Sequence, residues 1–128
     1  MNICIIMHVF YITIMSDFQS LPDVCQKSLA EHMRPDLFRA LCEPIRISIV
    51  ATLAARSGLS RVSDLTECCG IDFSGVSRHL KILRDAGIVS AEKRGREVFY
   101  TLRTEELSQT LHAVADALIG CKEISAKK

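Results

Sequence analysis

At 128 residues and a net charge of +1 at neutral pH, the chain has room for one domain and carries no global basicity. Tryptophan is absent and only 5% of residues are aromatic, which excludes a stacking platform for single-stranded nucleic acid. With no glycine-rich phosphate loop, nucleophile motif or paired-carboxylate pattern, the common enzyme classes also drop out, and local charge placement becomes the informative signal.

The chain opens on "MNICIIMHVFYITIM", nearly all apolar. A bilayer span needs about 20 such residues, so no membrane role is expected. A secretory signal would need a basic start, but the first Lys or Arg is Lys27, and the expected location is the cytoplasm. Residues 1–14 read as a hydrophobic extension ahead of a better start at Met15. The rival reading is a genuine apolar arm that packs on a dimer or a membrane. Residues 15–121 then form the domain, and 122–128, "KEISAKK", a polar, disordered tail.

Residues 21–33 form a first helix, with Pro22 in its first turn and Leu21, Val24 or Cys25, and Leu29 on one side. Pro35 and Pro44 open two more. "PDLFRAL" turns Leu37, Phe38 and Leu41 inward; "PIRISIVATLAARS" carries Ile45, Ile49 and Leu53 at helical spacing and stops at Ser57-Gly58. "RVSDLTECC" is a short helix and "GID" a tight turn.

The stretch Gly70–Leu102 then reads as an amphipathic helix followed by a β-hairpin. Asp72 is the N-cap, Val76, Leu80 and Leu83 make a core stripe, and Gly87 supplies the left-handed stop. Ser74, Ser77, Arg78 and Lys81 fall on the opposite face. "IVSAEK" and "REVFYTL" flank a tip at Arg94-Gly95, with Val98, Tyr100 and Leu102 alternating inward. From Ser74 to Arg103 seven cations face three carboxylates, a local excess of four. Two short helices joined by a glycine-bearing turn, the second polar-basic, make a helix-turn-helix, and Lys93, Arg94 and Arg96 cluster at the hairpin tip. The fold class is therefore mainly α with a β-hairpin wing, a winged helix-turn-helix, and double-stranded operator DNA is the expected partner. A winged helix serving only as a protein-interaction module is the competing class.

The last segment, Thr104–Cys121, carries Leu107, Leu111, Val114 and Leu118 as an apolar seam. A domain this small leaves little core to cover two terminal helices. Dimerisation through those terminal helices is expected, which would set two recognition helices on successive turns of DNA.

"LFRALCEPIRISIVATL", "VSDLTECCGIDFSGVSRHLKILRDAGIV" and "KRGREVFYTL" strongly resemble the ArsR-type (ArsR/SmtB) winged-helix repressors, over about Pro35–Leu118. The resemblance implies a homodimer that releases operator DNA on binding an inducer, commonly a metal or metalloid ion. It places Ser74, Gly75, Ser77, Arg78 and His79 on the recognition helix and Lys93, Arg94 and Arg96 on the wing. The residues themselves independently select Ser77, Arg78 and Lys81, while His79 either touches phosphate or sits beside the core stripe.

Several positions depart from the family. Its polar triplet at the helix start is replaced by Phe73-Ser74-Gly75, so the operator sequence does not follow from likeness. The founding Cys-x-Cys-Asp-Leu arsenic site is absent, since Arg61 and Ser63 stand in "RVSDL" where thiolates would be. His112 and Asp116 lack the spaced partners of the zinc sites and read as a surface pair. What remains is Cys68-Cys69, expected to ligate a thiophilic ion (arsenite, mercury, cadmium or copper(I) class) as inducer, with a third sulfur from Cys25 or Cys121 and Cys42 in reserve. Adjacent helical residues diverge by about 100°, so joint ligation requires the chain to bend at Gly70. A disulfide or persulfide switch, for example Cys42 with Cys121, is one alternative. A metal-independent regulator of the same family is the other.

Overall fold

Helices and a hairpin appear where the periodicity puts them, in a computed structural model that describes residues 23–126. The expectations for residues 1–14, Leu21 and Pro22 lie outside the described residues. In order come α1 (Asp23–His32), α2 (Pro35–Leu41), α3 (Pro44–Arg56), β1 (Ser60–Arg61), α4 (Val62–Cys69), α5 (Phe73–Asp85), β2 (Val89–Arg94), β3 (Glu97–Leu102) and α6 (Thr104–Ala126). The architecture is mainly α with a small antiparallel sheet of order β1-β3-β2.

Residues 34–110 make one unit, organised about a single core. Leu37 and Ala40 of α2, Ile49 and Leu53 of α3, Val62 and Leu65 of α4, and Val76, Leu80 and Leu83 of α5 meet there, joined by Ala86, Ile88 and Val89. Each large side chain so buried contributes about 1.5–3 kcal/mol, which outweighs the weak intrinsic helicity of segments this short. In α2 the inward line is Leu37 with Ala40, and Phe38, expected inside, is half-buried and outside that cluster. Leu41, as expected, packs against the cluster one turn after Leu37, so that of the three only Phe38 departs from the inward face.

The helix ends follow capping chemistry. Glu43 caps α3 by accepting from the Arg46 amide at 3.0 Å. That helix stops as expected, but Ser57 takes the left-handed conformation at φ 47° and the neighbouring glycine does not. At the end of α5, Gly87 (φ 75°) donates to the Arg84 carbonyl and Ile88 to the Leu83 carbonyl, each at 2.9 Å. This is a Schellman stop, and it turns the chain straight into the wing. Arg34 donates to the Ala86 carbonyl at 2.9 Å, placing a cation at the negative end of the helix.

Two features of the sheet differ from expectation. β1 is an extra strand of two residues, pairing Ser60 with Tyr100 and Arg61 with Phe99. The wing register pairs Arg94 with Glu97, so its turn is Gly95-Arg96, one residue later than Arg94-Gly95. Gly95 supplies the positive φ of 63° that a tight hairpin needs. Tyr100 and Leu102 pack on the core, whereas Val98 is exposed because the wing there has run past the core's edge.

Residues 23–33 together with 111–126 belong to a second unit. Within it Cys25, Val114 and Ala117 are buried, while Leu111, Leu118, Ile119 and Ile124 are exposed. The expected seam is therefore split: Val114 faces inward and Leu111 and Leu118 do not. α6 also runs to Ala126, so residues 122–126, expected as tail, continue the helix.

Gly87→Ala should lower stability by about 1–2 kcal/mol, the strain of an L-residue in the left-handed region. Its new methyl would also lie 3.6 Å from an Arg103 guanidinium nitrogen. Gly58→Ala, at a position without positive φ, should be near neutral. Urea unfolding of the two variants checks the difference.

Candidate nucleic-acid interface

The recognition helix is held from both sides of its N-terminus. Asp72 accepts from the Gly75 amide at 3.1 Å. A methyl group on Gly75 would fall 2.8 Å from that carboxylate, so the absent side chain is what lets the cap close. Gly70, at φ 64°, makes the turn from α4. With Val76, Leu80 and Leu83 fully buried, the helical period drives Ser74, Arg78 and Lys81 to the outside and leaves Ser77 half-buried at the edge of that face.

His79 belongs elsewhere. It is half-buried on α5, with Nδ1 3.6 Å from an oxygen of Glu43, the residue that caps α3. Nδ1 makes no hydrogen bond there, and the half-buried position favours the structural one of its two expected roles, beside the core stripe. Burial pushes the Glu43 carboxyl up, but the Arg46 and Ile45 amides and the His79 and Arg46 charges outweigh it and hold it low.

On the wing, Arg94 is engaged by Glu92 at 2.9 and 3.1 Å and lies 5.6 Å from the Phe99 ring centre. Lys93 and Arg96 have no carboxylate partner among the described residues, and neither do Arg78 and Lys81 on α5. These four unneutralised cations lie on the helix and hairpin that follow one another in the chain.

Sequence reasoning passed over Arg61 except as a missing thiolate. Its guanidinium spans Asp64 at 3.5 Å and Glu97 on β3 at 3.1 Å, tying the start of α4 to the wing. The only early signal was its charge beside a helix start. Arg61, Val62, Ser63, Phe73, Ser77, Arg96, Glu97, Val98 and Tyr100 line an open cleft of about 360 Å³ between α5 and the wing.

The cysteines separate. Cys69 packs against the core of the 34–110 unit, while Cys68 is exposed with Arg56 Nη2 3.5 Å from its sulfur. The two thiols thus lie in different surroundings, as adjacent helical residues diverge. Cys42 is exposed. Cys121 instead meets Cys25: a thiol–thiol hydrogen bond, then burial and the proximity of Cys25, push the Cys121 thiol above its ordinary value. Among the described residues no three His, Cys, Asp or Glu side chains converge on one point. His112 and Asp116 are both exposed.

A family model described as "Bacterial regulatory protein, arsR family" matches residues 43–91, which span the helix-turn-helix and the start of the first wing strand. An arsenical resistance operon repressor of Bacillus subtilis is 39% identical over 74 residues, covering 58% of this chain and 70% of that protein. The chain belongs to the ArsR family. The transcriptional repressor SmtB of Mycobacterium tuberculosis is 42% identical over 88 residues, covering 69% of this chain and 62% of the relative. The match thus spans about three-fifths of that protein's length. Among solved structures, a homodimeric winged helix-turn-helix DNA-binding domain from Mycobacterium bovis, described as a possible ArsR-family transcriptional regulator, superposes with a TM-score of 0.53. It is 25% identical, and the superposition covers 63% of this chain and 76% of that one. Membership accounts for the winged helix-turn-helix architecture and for the absence of enzyme motifs.

The Asp64 carboxyl is held below its ordinary 3.8 first by the Arg61 amide, then, against some burial, by the Arg61 charge. A lowered folded pKa means stability that is present above 3.8 and lost as pH falls through the folded value. Asp64→Asn should therefore lower the urea midpoint at pH 7, and the gap from wild type should close as pH drops below about 4.

Proposed function

We propose that this protein is a cytoplasmic, homodimeric transcriptional repressor that binds duplex operator DNA and lets go when an inducer engages its thiols. The observation that carries the DNA half is the set of cations without a carboxylate partner on two consecutive elements, Arg78 and Lys81 on α5 with Lys93 and Arg96 on the wing. A helix with a short polar-basic face enters the major groove, where Ser74, Ser77 and Arg78 can meet base edges, and the wing cations take phosphates. Gly75 contributes close backbone approach, and His79 contributes by fixing the helix. Exposed Leu111, Leu118, Ile119 and Ile124 on α6 support a second copy as the covering partner, in keeping with the homodimeric relative. No helix of the described residues is long and apolar enough to cross a membrane.

For the inducer half, Cys25 and Cys121 are the best-supported receptor, because they are the two thiols already in contact. Soft thiolates favour a thiophilic ion of the arsenite, mercury, cadmium or copper(I) class. Such an ion displaces the protons, and a further ligand comes from the second subunit. The relatives named for arsenical resistance support that class. In the redox reading, Cys25 and Cys121 give up two protons and two electrons to a peroxide, which leaves as water, and one disulfide forms.

Fluorescence anisotropy with the protein's own upstream DNA tests both halves. Affinity should fall steeply with salt, and Lys93→Ala and Arg96→Ala should each flatten the log–log slope by about one per phosphate contact removed. Salt-insensitive binding, or no duplex binding, would favour the protein-interaction module. Cys25→Ser and Cys121→Ser should still bind DNA yet no longer release it with As(III), Hg(II), Cd(II) or Cu(I). Loss of response only in Cys68→Ser and Cys69→Ser would move the receptor there, and no release of the wild type by any of these ions would leave a metal-independent regulator. Release by oxidant alone selects the disulfide.

A further inference from the structure

Phe73 is the first residue of the recognition helix and, at 60% exposure, the most exposed large apolar side chain among the described residues. Leaving an aromatic ring in water forgoes a burial worth more than that of any single aliphatic side chain in this core. It is absent from the core, although Ile71, two residues earlier, packs against it. The ring instead lines the cleft shared with Ser77 and Arg96. The Asp72 cap and side-chain-free Gly75 fix the backbone that carries it.

Recognition helices present their N-terminal residues to base edges. The major groove offers one apolar feature to such a residue, the C5-methyl of thymine, and phenylalanine is among the side chains that meet it. We propose that Phe73 is a specificity-determining residue that reads a thymine methyl group in each operator half-site, with Ser74 and Ser77 beside it and Arg96 anchoring the neighbouring phosphate. This rests on the DNA-binding reading above. It also gives the Phe73-Ser74-Gly75 departure a consequence: selection by apolar contact where long polar side chains would select by hydrogen bonds.

The test begins with selection of duplexes by the full-length protein from a randomised pool. Each thymine of the selected site is then replaced in turn by deoxyuridine, which removes the methyl and nothing else. Wild type should lose about fourfold in affinity at one thymine per half-site, the worth of one buried methyl group. Phe73→Ala should bind more weakly and be indifferent to uracil at that position, while Phe73→Leu should keep part of the penalty. Arg78→Ala should bind weakly yet retain the full uracil penalty. Wild-type indifference to every uracil, selected half-sites without thymine, or an undiminished penalty in Phe73→Ala would overturn the assignment. Failure to select any duplex would overturn the DNA-binding reading itself, and this assignment with it.

Discussion

Burial of one stripe, Val76, Leu80 and Leu83, is the constraint on which the rest depends. Those three side chains must face the floor made by Ile49, Leu53, Val62 and Leu65, and a helix of 3.6 residues per turn then has no choice about its other side. Ser74, Arg78 and Lys81 are outside because the leucines are inside. The Schellman stop at Gly87 follows from the same helix. It reverses the chain so that β2 begins at a fully seated Ile88-Val89, and the wing cations are delivered beside the helix that needs them. Arg61 completes the arrangement by joining the start of α4 to Glu97 of the wing.

Much of this was legible in the sequence, for a physical reason: helical period, prolines at helix starts and glycines with positive φ are local signals. The core stripe of α5, its Asp72 cap and its Gly87 stop needed only neighbours within one or two turns. What was not legible depends on distant partners. β1 has two residues, too few for any alternation, and exists because β3 offers it an edge. Ser57 takes a conformation usually left to glycine, and composition pointed to Gly58. Val98 obeys the strand alternation but lies beyond the core that would reward it. The His79–Glu43 contact and the Arg61 bridge join elements far apart in the chain, so charge alone could not announce them.

The thiols show the same limit more sharply. Cys68-Cys69 was conspicuous because its members are adjacent in sequence, yet adjacency on a helix separates side chains. Cys25 and Cys121, near opposite ends of the chain, are the two that touch. Every residue proposed to face DNA lies within 34–110, whereas this thiol pair belongs to the unit of 23–33 and 111–126. α6 is the element common to both, beginning at Thr104 beside the wing and ending past Cys121. In the proposed switch an inducer at the thiols would act through α6, and the 1–3 kcal/mol typical of allosteric coupling is within reach of one or two ligand bonds that differ between states.

In the proposed complex, α5 of each of two copies lies in the major groove. Guanine N7 methylation interference on a selected duplex addresses it most directly, because N7 is exposed only in that groove. The account predicts two clusters of interfering guanines, related by a two-fold axis and separated by about one helical turn or a multiple of it. A single cluster, or interference confined to adenine N3 in the minor groove, would contradict it.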